Sequence, residues 1–360
     1  MSRMTANVGI IGAGAWGTAI AKILGEKGIS VGIWAFEKEV AQAINTQQCN
    51  ERYLPGFTLP DSVYADTDLR AVAENKDFLI VATPSLFTLQ SVRSIITVPA
   101  IAEGRCSIGI LTKGFITTDR GTRLIVETLE DYLPGFYKGN IAYISGPSHA
   151  EEVAQGKLTG LISASQNPKL SIKFRNLLDA PTLKVFSSLD TIGVQVCAAM
   201  KNVIAIAFGM LDALTERSEG IVGDNTESLL LAAGLNEIQT MGTALGATHP
   251  ETFTSIAGVG DLDVTCRSQY GRNRRFGREI ILENKLAPYD NIDALIDDIT
   301  GLGYLPEGAV AARAAWQLIQ QKGLRMPVSA GVFKILNREA DPVNAVELIL
   351  SGRSDSQPLE

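Results

Sequence analysis

Lys201 stands in Ala198-Ala199-Met200-Lys201-Asn202-Val203-Ile204-Ala205, where a cation and an amide interrupt a run otherwise apolar over several helical turns. Two placements fit: a lysine snorkelling at a helix edge, or an inward-facing Lys-Asn pair, unusual because such residues rarely enter a core without a purpose. In the second placement, burial beside another cation would ease loss of the ammonium proton, and the lysine could give and take a proton. Lys113, in Leu111-Thr112-Lys113-Gly114, falls just past the C-terminal end of a predicted strand, where open α/β sheets bind ligands. The densest cationic cluster is Gly271-Arg272-Asn273-Arg274-Arg275-Phe276-Gly277. It reads either as a solvated helix start or as a fork of donors, Arg272 and Asn273, suited to a phosphate at a helix N-terminus. Asp261 follows Gly258-Val259-Gly260 and is a turn residue or cap on one reading. Near Lys201 it would instead orient the ammonium and accept a hydrogen bond from a substrate hydroxyl. The chain has 2 histidines, His149 and His249, and neither forms an obvious dyad with a carboxylate. No G-x-S-x-G or H-E-x-x-H string is present, so hydrolase chemistry has no support.

A second constellation opens the chain. The apolar run Val8-Gly9-Ile10-Ile11 leads straight into Gly12-Ala13-Gly14-Ala15-Trp16-Gly17, and Thr18 to Leu24 continues as an apolar helix start. This is strand, glycine turn and helix with G-x-G-x-x-G spacing. Gly12 permits the tight turn, Gly14 lets a diphosphate approach the backbone, and Gly17 lets helix and strand pack closely. The diphosphate would face the free N–H groups of the helix start.

The elements that must position these residues follow from periodicity. Short apolar runs at Asn7–Ile11, Ser30–Trp34, Asp77–Ala82, Ser107–Leu111, Ile141–Ser145, Thr159–Ala164 and Leu183–Ser187 predict strands, most separated by helical patterns. That rhythm predicts βαβ crossovers and a mostly parallel sheet. Beyond about Asp190 only helical periodicity remains, over Thr191–Leu214, Thr226–Gly242, Arg274–Glu283, Gly308–Lys322 and Ser329–Glu339. The expected organisation is an α/β domain over 1–190, an all-α domain over 191–351 and a flexible tail over 352–360. Charged, glycine-bearing Thr215–Gly223 predicts a surface loop between two helices.

Composition sets outer bounds. A chain of 360 residues with 46% hydrophobic and 20% charged residues can build two ordinary globular cores. Its strongest apolar stretch, Val203 to Leu211, is too short to span a bilayer, and no signal peptide is indicated. The 4 scattered cysteines lack metal-ligand spacing and predict reduced thiols in a cytoplasmic setting, with no metal. A net charge of -7 disfavours nucleic acid as a partner, while leaving room for a small anion in a locally basic pocket.

Taken in order, Gly12–Ala19, Asn50–Gly56 (NERYLPG), Thr112–Gly114, Ser145–Ala150 (SGPSHA), Ala199–Ala205, Gly223–Thr226, Gly258–Cys266, Arg272–Gly277 and Glu307-Gly308 resemble the soluble NAD(P)-dependent glycerol-3-phosphate dehydrogenases. The strings span nearly the whole chain. The resemblance implies a Rossmann domain, a helical domain, a substrate cleft between them and a homodimer. It implies that Lys201 is the proton acceptor in glycerol 3-phosphate oxidation and the donor in reverse. Lys113, Gly146 and Ser148 would contact substrate from the first domain, and Asp261, Gly271, Arg272 and Asn273 from the second. Gly271 stands where many relatives carry Ser, so a side-chain hydroxyl contact is lost there. Ala15, Trp16, Phe87, Lys113, Ala150, Arg272, Leu305 and Glu307 align with nucleotide-contacting positions. The product would feed glycerophospholipid synthesis.

Coenzyme choice turns on the end of the second strand, Ile33-Trp34-Ala35-Phe36-Glu37. An acidic residue there suits NAD, and an arginine suits the 2′-phosphate of NADP. Phe36 and Glu37 resemble the NAD-dependent branch, with Lys38 a partial offset, so NAD is expected and NADP is possible. Two other readings compete. One is a hydroxyacid dehydrogenase of the same fold acting on a carboxylate, which the Arg272-Asn273 cluster disfavours. The other is a nucleotide-sensing protein without chemistry, which would need none of Lys201, Lys113 and Asp261.

Overall fold

In the computed structural model the described residues are 6–217, 222–268 and 271–342. Among these residues twelve strands run in chain order: β1 Asn7–Ile11, β2 Ser30–Trp34, β3 Cys49–Asn50, β4 Leu54–Thr58, β5 Val63–Asp66, β6 Phe78–Val81, β7 Ser107–Ile110, β8 Phe115–Thr118, β9 Gly121–Leu124, β10 Ile141–Ser145, β11 Thr159–Ala164 and β12 Leu183–Ser188. Eight of them form one sheet in the order β12-β11-β10-β7-β6-β1-β2-β5. Every pairing is parallel except β10 with β11. The central strands are buried along their length, as a sheet covered on both faces requires.

All seven strands expected from sequence are present, and all lie in this sheet. The sequence reading missed β5, the two-residue β3 with its partner β4, and the hairpin β8–β9. The first pair contains NERYLPG, whose Pro and Gly read as loop, and β5 alternates Val-Tyr-Ala-Asp without an apolar run. β1 has β2 on one side and β6 on the other, so the strand order reverses there. A crevice at the carboxyl ends of such strands is the usual ligand site of an open α/β sheet.

The chain divides into two compact units, Met1–Ile116 with Arg123–Val194, and Thr117–Thr122 with Gln195–Glu360. The tip of the β8–β9 hairpin thus packs with the second unit, where Thr122 Oγ1 donates to Gln317 Oε1. In the second unit helices dominate and no strand follows β12 among the described residues. The longest, Thr191–Arg217, extends three residues past its expected end into the segment anticipated as a loop. The rest of that loop between 218 and 221, and the tail from 352, lie outside the described residues. This helix is long and apolar enough to cross a membrane, yet its most apolar window is 100% buried inside the fold, so it is a core helix.

Its neighbours approach closely because glycines remove the side chains at the crossings. A Cβ at Gly209 would lie 1.9 Å from the Arg274 carbonyl oxygen, and one at Gly277 2.1 Å from that of Ile206. The long helix and the helix Arg272–Leu282 therefore touch backbone to backbone. Arg274 secures the crossing with a bidentate pair to Asp212, at 2.5 and 3.0 Å. On another helix, Asp224–Leu245, buried Glu237 accepts hydrogen bonds from the N–H groups of Val328 (2.6 Å) and Ser329 (2.9 Å) and from the Ser329 hydroxyl (2.6 Å). Burial pushes its carboxyl above the usual range, and the three donors at the start of helix Pro327–Leu336 pull it back.

Gly277→Ala is expected to destabilise the protein by about 3 kcal/mol, since neither backbone can yield to a methyl group. Urea unfolding of the variant checks this, and an unchanged midpoint would mean the crossing is looser than described.

Candidate active site

The glycine turn has the shape a dinucleotide requires. Gly12 sits at φ 117°, a left-handed conformation that favours glycine, and a Cβ there would meet the backbone of Ala82 at 3.0 Å. At Gly17 a Cβ would lie 2.0 Å from the Gly12 carbonyl oxygen, so this glycine closes the turn against the helix. Gly14 has open space in front of it, with nothing within 4 Å. The helix Ala15–Glu26 begins here with no side-chain cap and no acid in its first turn, so its N–H groups face that space uncovered. A diphosphate fits this cradle on shape and charge.

Asn50 is the residue the sequence reading passed over. It is buried, and its Nδ2 donates to the Ala13 carbonyl and to Thr18 Oγ1, both at 2.8 Å. Its Oδ1 accepts from the Tyr53 N–H at 3.3 Å. The strand pair β3–β4 thereby clamps the glycine turn from outside. The signal was an asparagine at the head of NERYLPG, legible only with the partner in view. Trp16 is half-buried, while Phe36 and Phe87 are 80% and 46% exposed, as aromatic platforms awaiting a partner would be.

Lys113 follows β7, held there by hydroxyls at the strand ends. Thr112 Oγ1 donates to the Thr83 carbonyl at 2.7 Å, and the Thr83 and Thr88 hydroxyls meet at 3.1 Å. After β10, Gly146 adopts φ 132° and a Cβ there would lie 2.8 Å from the Gly160 carbonyl oxygen. Ser148 Oγ turns back to donate to the Gly146 carbonyl at 2.8 Å, and buried Ala150 opens the next helix, with His149 as its cap residue.

In the second unit Lys201 points inward, which resolves the choice left open by its sequence context. The side chain is 7% exposed and pairs with Asp261, at 0% exposure, by a hydrogen bond from Nζ to Oδ1. Lys201 Nζ also donates to Thr265 Oγ1 at 2.9 Å, and that hydroxyl donates to the Asp261 carbonyl at 2.6 Å. The counter-charge is the Asp261 carboxylate, the orienting partner that the sequence offered for this ammonium, and no neighbouring cation is needed for the pairing. The reason is electrostatic: an ammonium this deep needs a counter-charge and further hydrogen bonds. Asp261 is delivered by a π-helical turn, Ile256–Gly260, which runs into the helix Asp261–Arg267. Gly258 permits that turn, since a Cβ would lie 2.0 Å from the Phe253 carbonyl oxygen.

Gly271 caps the helix Arg272–Leu282 without a side-chain bond, and the two donors after it diverge. Arg272 is exposed. Asn273 is buried, and its Oδ1 accepts the Gly308 N–H at 2.8 Å, which leaves its amide NH2 as the donor end. A Cβ at Gly308 would touch both the Asn202 carbonyl oxygen (2.5 Å) and Asn273 Oδ1 (2.9 Å), so Asn202, Asn273 and the Glu307-Gly308 helix start converge. Glu307 opens that helix and its N–H donates to the Leu305 carbonyl at 3.1 Å. The second unit thus gathers Lys201, Asp261, Thr265 and Asn273 on packed helices, with Arg272 extending from the same helix start.

Comparison with known proteins agrees with this architecture. Residues 7–171 match the family model of the NAD-dependent glycerol-3-phosphate dehydrogenase N-terminus, and residues 190–347 match that of its C-terminus. A glycerol-3-phosphate dehydrogenase [NAD(P)+] from Treponema denticola is 53% identical over 355 residues, 97% of this chain and 99% of that protein. One from Enterococcus faecalis is 32% identical, covering 98% of each. The crystal structure of glycerol-3-phosphate dehydrogenase from Coxiella burnetii superposes with a TM-score of 0.83 at 31% identity, covering 96% of this chain and 99% of that one. With both halves of the family pattern matched in order around the glycine turn and the buried lysine, the chain belongs to the NAD-dependent glycerol-3-phosphate dehydrogenase family.

Proposed function

We propose that the protein interconverts dihydroxyacetone phosphate and sn-glycerol 3-phosphate with NAD(P)H, favouring NAD, and that it supplies glycerol 3-phosphate for glycerophospholipid synthesis. The observation that carries this reading is the buried ammonium of Lys201 beside Asp261 and Thr265 in a chain of this family. In this assignment residues 1–190 bind the coenzyme and 191–351 supply the catalytic lysine. When bound, the nicotinamide supplies or takes the hydride at carbon 2 of the triose. Lys201 Nζ holds the proton for the oxygen on that carbon, giving it during ketone reduction and taking it during alcohol oxidation. Negative charge developing on that oxygen is met by the same ammonium and by Lys113. Asp261 fixes the ammonium and accepts from a substrate hydroxyl, and Thr265 fixes its direction. Arg272 and the Asn273 amide hold the phosphate, so binding energy remote from the reacting carbon keeps it in register. Gly146, Ser148 and Gly271 complete the substrate contacts, the last through its backbone. Gly12, Gly14, Ala15, Trp16, Gly17, Phe36, Phe87, Lys113, Ala150, Arg272, Leu305 and Glu307 serve the coenzyme.

A small phosphorylated substrate suits a chain with a net charge of -7 better than a nucleic acid does. The cytoplasmic setting expected from the cysteines and the homodimer implied by the sequence resemblance belong to the same proposal, and sedimentation of the purified protein tests the mass.

Three measurements examine the assignment. Lys201→Ala is expected to lower kcat by about 10²-fold or more while NADH affinity, read by fluorescence titration, is kept. The variant also leaves Asp261 buried without its counter-charge, so its thermal midpoint falls as well; near-normal turnover would remove Lys201 from the role. Arg272→Ala is expected to raise KM for dihydroxyacetone phosphate by about tenfold or more with a smaller change in kcat, as loss of a charged hydrogen bond predicts. An unchanged KM would place the phosphate elsewhere. Initial rates with both reduced nicotinamides should favour NADH, and faster oxidation of NADPH would overturn the preference.

A further inference from the structure

Glu37 is not alone at the end of β2. It is the cap residue of the helix Lys38–Gln47, but its side chain makes no capping bond. Instead its Oε1 accepts from the Tyr53 hydroxyl at 2.5 Å, and an Arg52 terminal nitrogen lies 3.6 Å from the same oxygen. The other terminal nitrogen of Arg52 donates to Glu39 Oε1 at 2.9 Å, and its guanidinium lies 5.4 Å from the centre of the Tyr53 ring. Burial is the chief cause that raises the Tyr53 pKa, helped by Glu37 itself, so the phenol stays protonated and keeps donating. Both contacts on Glu37 fall on Oε1, which leaves Oε2 as the acceptor a ribose 2′-hydroxyl would meet.

Sequence alone sets Lys38 against Glu37 as the offsetting cation. In the fold the cation within reach of Glu37 is Arg52, from the loop between β3 and β4. Any group hydrogen-bonded to Glu37 therefore comes close to a guanidinium. We infer that Arg52 is the residue that admits a 2′-phosphate here, and that coenzyme choice is a competition for its guanidinium between that phosphate and the carboxylates of Glu37 and Glu39. The inference rests on the dinucleotide site proposed above and deepens it.

The energetics permit exchange. Arg52 and Glu39 are 52% and 67% exposed, so their pair is weak and screened by water. A phosphate offers two or three acceptor oxygens and more charge, and the planar guanidinium binds it in bidentate fashion. Against it stand two carboxylates around one guanidinium, an arrangement that favours a ribose hydroxyl. The site is thus biased towards NAD without being closed to NADP. Asn50 and Tyr53 join this choice to the glycine turn, because the strand pair that clamps Ala13 also delivers Arg52.

The test is calorimetric titration of the full chain with ADP-ribose and with 2′-phospho-ADP-ribose, neither of which needs turnover. Arg52→Gln is expected to weaken 2′-phospho-ADP-ribose by about tenfold or more while ADP-ribose stays within about twofold, as loss of one charge-assisted contact predicts. Glu39→Gln, which releases the guanidinium, is expected to tighten the phosphorylated ligand several-fold and leave ADP-ribose unchanged. Lys38→Gln should change neither ligand selectively. Equal weakening of both ligands by Arg52→Gln, or a selective loss with Lys38→Gln, would overturn the inference. Normal ADP-ribose binding without reduction of dihydroxyacetone phosphate would sink the dehydrogenase reading alone, whereas absence of ADP-ribose binding would sink both.

Discussion

Charge neutralisation inside an apolar helical unit is the constraint around which the second unit is built. Lys201 lies on a helix whose neighbours are almost entirely hydrophobic, and Asp261 is fully buried against it. Neither charge could stay there alone, because desolvation costs each ion several kcal/mol. The pair therefore dictates that the helix Asp261–Arg267 start where it does, and that a π-helical turn with Gly258 precede it. It also requires close packing nearby, which Gly209 and Gly277 supply by removing side chains at the crossing of the long helix.

The glycine turn of the first unit obeys a different constraint, one of space. A diphosphate needs uncovered N–H groups and no side chain before them, and the first helix provides both at Gly14. Such a turn is poor in side-chain contacts of its own. Asn50 compensates by holding the Ala13 carbonyl from a short strand pair that stands apart from the main sheet. One buried amide thus fixes a backbone conformation, a cheaper device than a larger loop.

The proposed coenzyme specificity lies at the surface. Glu37 and Tyr53 are partly buried, so their bond has a defined geometry, whereas Arg52 and Glu39 are exposed and their pair is weak. On our proposal, a partly buried acceptor beside an exposed cation would separate the two nicotinamide coenzymes by charge while preserving the common diphosphate cradle. Evolution can shift such a balance through single surface charges without touching the core.

Much of the architecture was legible in the residue order. Central strands such as β1, β6 and β10 announce themselves because a strand covered on both faces must be apolar throughout, and the glycine turn because its spacing follows from backbone sterics. Lys201 was conspicuous for standing in an apolar helix, but whether it faced inward was open, since one cation on a helix can snorkel or be buried. The fold decided this by placing Asp261 and Thr265, sixty and sixty-four residues on, against its ammonium. Asn50, Arg52 and Tyr53 stayed hidden for the same reason: their partners Ala13, Glu39 and Glu37 are distant in sequence. Local propensity and periodicity are written along the chain, whereas hydrogen-bond partners beyond the next turn or strand, here 13 to 64 residues away, exist only after packing has chosen them.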